Sequence, residues 1–139
     1  MKPKLILMSH GNMAKETFAS TQMIVGDLAN AEIVSMKAED GLSGTQAKLQ
    51  AILQKNGDVS TIIIADLKGG TPCNVAMMAM GTYPQLRVVS GLNLAMVIEA
   101  SVSSLENVDE LAAYLTTIGQ QAVEMIELPE LDEEEGFEE

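Results

Sequence analysis

The chain of 139 residues contains no tryptophan, one cysteine, one histidine and no basic residue after Arg87. A lone Cys73 cannot form an intrachain disulfide, and one histidine with one cysteine cannot assemble a zinc site within a single chain. Long apolar runs are also missing. The first run, Leu5 to Met8, is shorter than the roughly 7–15 residues of a signal-peptide core. None reaches the roughly 20 residues that a membrane helix needs. A soluble, cytoplasmic protein is expected.

The formal net charge of −12 rests on 8 basic and 20 acidic residues. Residues 1–87 sum to +1 and residues 88–139 to −13. Binding nucleic acid by counterion release takes clustered Lys and Arg, which the second half cannot supply. Neither nucleic acid nor an anionic membrane surface is an expected partner. Residues 127–139 alone carry 8 negative charges and no positive one, leaving −4 for the rest. Their carboxylates repel one another and bury nothing, so the expected organisation is one folded domain, residues 1–128, and a disordered acidic tail, 129–139. With 47% apolar residues, a domain of this size buries about two-thirds of its unfolded surface and needs no disulfide.

Four short, apolar, largely β-branched runs stand out: Leu5 to Met8, Glu32 to Met36, Thr61 to Ala65 and Leu86 to Ser90. Stretches of helical spacing separate them. The first carries Ala14, Phe18, Thr21 and Val25 on one face and closes at Gly26. The second carries Leu49, Ile52 and Leu53 and ends at Asn56-Gly57. The third opens at Thr71-Pro72, read as a cap residue followed by proline at the first helical position. It is apolar all round through Met80, as a buried helix would be. Leu92 to Val102 forms a short helix, and Val108, Leu111, Leu115, Ile118 and Ala122 a last amphipathic one, with Asn107 and Glu110 resembling a capping box.

Strand alternating with helix predicts an α/β fold: one open parallel sheet with helices on both faces. Val123 to Leu128 is either a short fifth strand or the frayed end of the last helix. Most of the ten methionines, Met77, Met78 and Met80 among them, read as core filling. Met23 points away from its helix's apolar stripe. With Met13 it either joins a docking face or is a dimer contact or a lone exposed side chain.

Ligands of open parallel sheets bind beyond the carboxyl ends of the strands. There the sequence places Ser9-His10-Gly11-Asn12, then Asp66-Leu67-Lys68-Gly69-Gly70-Thr71-Pro72, then Ser90-Gly91-Leu92-Asn93. In a 2-1-3-4 strand order His10 and Asp66 are neighbours. A carboxylate bonded to one imidazole nitrogen fixes the tautomer and leaves the other nitrogen to attack. A structural histidine beside a turn aspartate fits the pair equally well. Gly69-Gly70-Thr71 at a helix start offers amides, a dipole and a hydroxyl to an oxyanion, although Gly-Gly-Thr-Pro is also an ordinary helix-start turn. The nucleotide-binding spacings Gly-x-x-x-x-Gly-Lys-Ser/Thr and Gly-x-Gly-x-x-Gly are absent. A transferred phosphoryl group is therefore the expected ligand, and no cofactor is.

The run Ser9-His10-Gly11, the run Ala65 to Asn74 and the run Ser90 to Met96 together resemble the mannose-family IIA component of the bacterial phosphoenolpyruvate-dependent sugar phosphotransferase system, in order and spacing over roughly residues 3–128. That resemblance implies that His10 is phosphorylated on Nε2 by the phosphocarrier protein HPr and hands the group to a IIB component, meeting the membrane sugar permease only indirectly. It implies that Asp66 bonds the histidine Nδ1 and that Gly69, Gly70 and Thr71 hold the phosphoryl group. It also implies a homodimer in which a C-terminal strand, here Val123 to Leu128, crosses to the partner's sheet. Ala95 stands where relatives often carry proline, and Lys68 and Cys73 fall at variable positions. Two competing readings are the phosphocarrier subunit of a dihydroxyacetone kinase, whose first domain resembles the same family, and a regulatory module that holds a small anion without chemistry.

Overall fold

In the computed structural model, which describes residues 1–130, strands and helices alternate. They are β1 (Lys4–His10), α1 (Met13–Val25), β2 (Glu32–Met36), α2 (Gly41–Asn56), β3 (Thr61–Ala65), α3 (Thr71–Ala79), β4 (Leu86–Ser90), α4 (Leu94–Val102) and α5 (Val108–Gln121). The four strands form one parallel sheet in the expected order β2-β1-β3-β4. Their side chains alternate between two cores. Leu5, Leu7, Ile62, Ile64 and Val89 face α1, α4 and α5. Ile6, Met8 and Ile63 face α2 and α3, where Leu49, Leu53, Val75 and Ala76 cover them.

The period-2 alternation has a direct consequence at the end of β1, because adjacent residues leave the strand on opposite sides. Ser9 continues the α1 face and His10 the α3 face. Strand pairing persists to this point, with Gly11 N–H donating to Met36 O at 2.8 Å. The chain then reverses through Gly11 at φ +55°, a left-handed conformation that favours glycine.

Three sequence expectations change. The third helix is not buried all round: Val75 and Ala76 meet the sheet while Met77, Met78 and Met80 are exposed. Its buried residues, Pro72, Cys73, Val75 and Ala76, recur at helical spacing on one side. The opposite side has no covering element among the described residues, so these methionines fill no core. The helix is capped by Gly70, in extended conformation, and Thr71 is already its first helical residue. Residues 123–130 form neither a strand of this sheet nor a continuation of α5, and Val123, Met125, Ile126 and Leu128 are 80–92% exposed. Of the expected acidic tail, 131–139 lies outside the described residues.

Two polar devices close off elements. Asn107 Oδ1 accepts the Glu110 N–H at 2.9 Å and caps α5. In the β2–α2 turn, Asp40 Oδ2 accepts from Lys48 Nζ at 2.6 Å and from the Lys37 N–H at 2.7 Å, while Lys48 Nζ also donates to Ser35 O. The Lys48 hydrogen bond, aided by the Lys37 amide, holds the Asp40 carboxyl below its ordinary pKa of 3.8.

Replacing Asn107 with Ala should destabilise the fold by about 1 kcal/mol, the usual cost of a lost N-cap, read as a lower urea midpoint with unchanged slope. Asp40 adds a pH signature. Because its folded pKa is depressed, its contribution is complete above pH 3.8 and is lost as pH falls through the lower folded value. The stability gap between wild type and Asp40→Asn should therefore be constant near neutrality and close only in acid; a gap that closes between pH 5 and 7 contradicts this.

Candidate active site

The carboxyl end of β3 meets that of β1 through one side chain. Asp66 N–H continues the ladder by donating to Met8 O at 3.1 Å. The next bond of a parallel pair would run from His10 N–H to a backbone carbonyl. Here it runs to Asp66 Oδ2 instead, at 2.9 Å. The same oxygen lies 2.8 Å from His10 Nδ1, and Asp66 Oδ1 accepts the Leu67 N–H at 2.8 Å. Both carboxylate oxygens are thus acceptors. With the imidazole neutral, Nδ1 carries the proton and Nε2 keeps its lone pair.

The ring is held from its other side by the start of α3. A Cβ built on Gly70 would fall 2.9 Å from His10 Cε1 and 3.6 Å from Nε2, so only glycine lets the backbone come this close. Gly70 N–H donates to Leu67 O, and Asn74 closes the turn with its N–H on Gly70 O and its side-chain amide on Gly69 O. The first helical turn leaves its early N–H groups without intrahelical acceptors. Pro72 has none to offer, which leaves those of Thr71 and Cys73 at the positive end of α3. The Thr71 hydroxyl makes no hydrogen bond among the described residues. An unengaged hydroxyl and open amides beside an imidazole form an arrangement that can accept the oxygens of a phosphoryl group.

The structure thus brings His10, Asp66 and Gly70 into direct contact, with Gly69 and Thr71 flanking Gly70 in the same loop. Met13 opens α1 at the same rim and is exposed. Met23, also exposed, lies in the last turn of α1, ten residues and about 15 Å further along the helix axis, towards the opposite end of the sheet. The pair does not surround His10.

Several residues at this rim were given no role in the sequence reading. Leu42, Leu67 and Leu94 each begin or precede a helix at the carboxyl end of the sheet and are exposed. Ser9 is fully buried beneath the turn that carries His10. Its only signal in the sequence was a hydroxyl ending an apolar strand.

His10 itself is open, its side chain 47% exposed. Three grooves lie elsewhere: one of about 280 Å³ between α2 and α3, one of about 470 Å³ at the amino ends of β1 and β2, and one of about 340 Å³ where the end of α2 meets the start of β4. No helix among the described residues is long and apolar enough to cross a membrane, and they contain no cluster of three or more His, Cys, Asp or Glu suited to a metal ion.

Comparison with known proteins gives this geometry its context. A family model described as "PTS system fructose IIA component" matches residues 4–116. The sorbose-specific EIIA component of Lacticaseibacillus casei is 28% identical over 119 residues, covering 85% of this chain and 86% of that protein. The sorbose-specific EIIA component of Klebsiella pneumoniae is 28% identical over 131 residues, covering 94% and 96%. A solved structure, the mannose/sorbose specific IIA subunit from Enterococcus faecalis, is 80% identical with a TM-score of 0.93, covering 95% of this chain and 100% of that one. The family model spans most of the chain and all four strands, so the chain belongs to the mannose-type EIIA family, the IIA components of the phosphotransferase system (PTS).

Proposed function

We propose that this IIA component is a phosphohistidine carrier in which His10 Nε2 takes the phosphoryl group from phospho-HPr and passes it to a IIB component during sugar uptake. The observation that carries this reading is the 2.8 Å contact between His10 Nδ1 and an Asp66 carboxylate whose two oxygens already accept backbone N–H groups. The lone pair on Nε2 forms the new N–P bond as the bond from phosphorus to the donor histidine breaks. Asp66 stabilises the positive charge that develops on the ring. Thr71 and the amides at the start of α3 receive the phosphoryl oxygens. Phosphoryl transfer through a loose transition state asks for positioning and electrostatics more than for covalent machinery, so this small site suffices.

Partner proteins must reach Nε2, and the surroundings of His10 suit a protein surface. Met13, Leu42, Leu67 and Leu94 expose apolar side chains on four different segments of the same rim, as a docking face does. Met13 belongs to that face in this reading; Met23 would take part only at a partner's outer margin.

The other exposed apolar group supports a homodimer. Val123, Met125, Ile126 and Leu128 lie bare in a segment without regular structure, while β4 is an edge strand. Pairing of this segment with β4 of a second copy would bury those side chains and satisfy both backbones.

Incubation with phosphoenolpyruvate, enzyme I and HPr should add one phosphate to the intact mass, in an acid-labile, alkali-stable bond. His10→Ala should take up none. Asp66→Asn and Gly70→Ala should each slow labelling by roughly 10²-fold, the scale of a lost orientation. Label on His10→Ala at the wild-type level would sink the assignment, and saturable binding of a phosphorylated metabolite without any phosphoenzyme would point to an anion-binding module. For the dimer, a chain cut after Ala122 should show the monomer mass by light scattering; an unchanged dimer mass rules out exchange of the segment.

A further inference from the structure

One buried polar group has no part in the scheme so far. Ser9 is 0% exposed, one residue before His10, and follows the apolar run Leu5 to Met8. Its Oγ accepts the Ala14 N–H at 2.7 Å and donates to Gly11 O at 3.3 Å. Ala14 is itself fully buried, so removing the hydroxyl takes the protein acceptor from a buried N–H. The residue in the cap position of α1, Asn12, makes no side-chain cap. The serine thus caps the helix from below and ties Gly11 to Ala14 across the turn.

From this we infer that Ser9 is a positioning residue for phosphoryl transfer at His10, an inference that rests on the carrier reading above. Three constraints hold the backbone at and just after His10: Asp66 Oδ2 on the His10 N–H, Met36 O on the Gly11 N–H, and the Ser9 hydroxyl on Gly11 O and the Ala14 N–H. The ring has no slack to absorb a shift. Gly70 stands against Cε1 so closely that a single added carbon would clash, and Asp66 Oδ2 must reach the backbone N–H and Nδ1 at once. Without the serine the buried Ala14 N–H loses its acceptor and the turn relaxes to find another. The shared hydrogen bonds at Oδ2 then degrade, and Nδ1 no longer holds its proton in preference to Nε2.

The test uses the fact that His10 is the chain's one histidine, so the ¹⁵N resonances of the labelled ring belong to a single residue. In wild type with the ring neutral, Nδ1 should resonate as a protonated nitrogen and Nε2 as a bare one. In Ser9→Ala both signals should move towards the average of the two tautomers, and labelling from phospho-HPr should slow by about 10-fold or more. Asn107→Ala, a comparable loss of a helix cap at the far end of the sheet, should leave the ring signals at their wild-type positions. If Ser9→Ala does not fold, Ser9→Cys, which keeps the volume and weakens the acceptor, is read in the same way. Ring signals unchanged from wild type in the folded Ser9 variant overturn the positioning role. A wild-type protein that takes up no phosphoryl group overturns the carrier reading instead, and the ring signals still decide the role of Ser9.

Discussion

The Asp66 carboxylate is the point on which both the sheet and the site depend. It substitutes for a backbone carbonyl at the end of the β1–β3 ladder, accepts the imidazole N–H with the same oxygen and receives the Leu67 amide on the other. Hydrogen bonds to an ionised acceptor are shorter and stronger than neutral ones, and three of them converge here. Finishing the sheet and orienting the ring are therefore one event. The side chain that fixes the tautomer cannot drift without also unpairing His10 from its neighbouring strand.

This economy suits chemistry exchanged between proteins. A small substrate would need an enclosed pocket, whereas His10 stands half exposed on a rim of apolar side chains. The charges near it are distributed unevenly. Lys2, Lys4, Lys48, Lys55 and Arg87 hydrogen-bond to protein groups, and among the described residues the side chains of Lys15, Lys37 and Lys68 do not. Those three sit on segments that begin at the carboxyl ends of the strands, interspersed with Glu16 and Glu39. An acidic chain thus carries these three cations, unengaged among the described residues, on segments at the end of the sheet where His10 stands.

Much of this was legible in the sequence because periodicity and strand-end chemistry are local signals. The four strands and the parallel sheet follow from apolar runs and right-handed crossovers, and once the order β2-β1-β3-β4 is supposed, the rule that sites lie beyond carboxyl ends brings His10 to Asp66. What was not legible depends on what covers a surface. Met77, Met78 and Met80 share the composition of a buried helix, but only one side of α3 has a neighbour. Thr71 has the chemistry of a cap, yet Gly70 takes that position because its backbone must pass against the imidazole. Val123 to Leu128 has strand composition and finds no strand to pair with within its own chain. Ser9 stood in the Ser9-His10-Gly11 run without a role of its own, since one hydroxyl does not alter a hydrophobic period.

The strand order also shapes how the molecule comes into being. β1 is the first strand made and an inner strand of the finished sheet, with β2 on one side and β3 on the other. A ribosome delivers about 5–20 residues per second, so the nascent chain carries Leu5 to Met8 with an open edge for seconds before Thr61 to Ala65 arrive to close it. His10 waits the same interval for Asp66. The site is thus born late although its histidine is translated early.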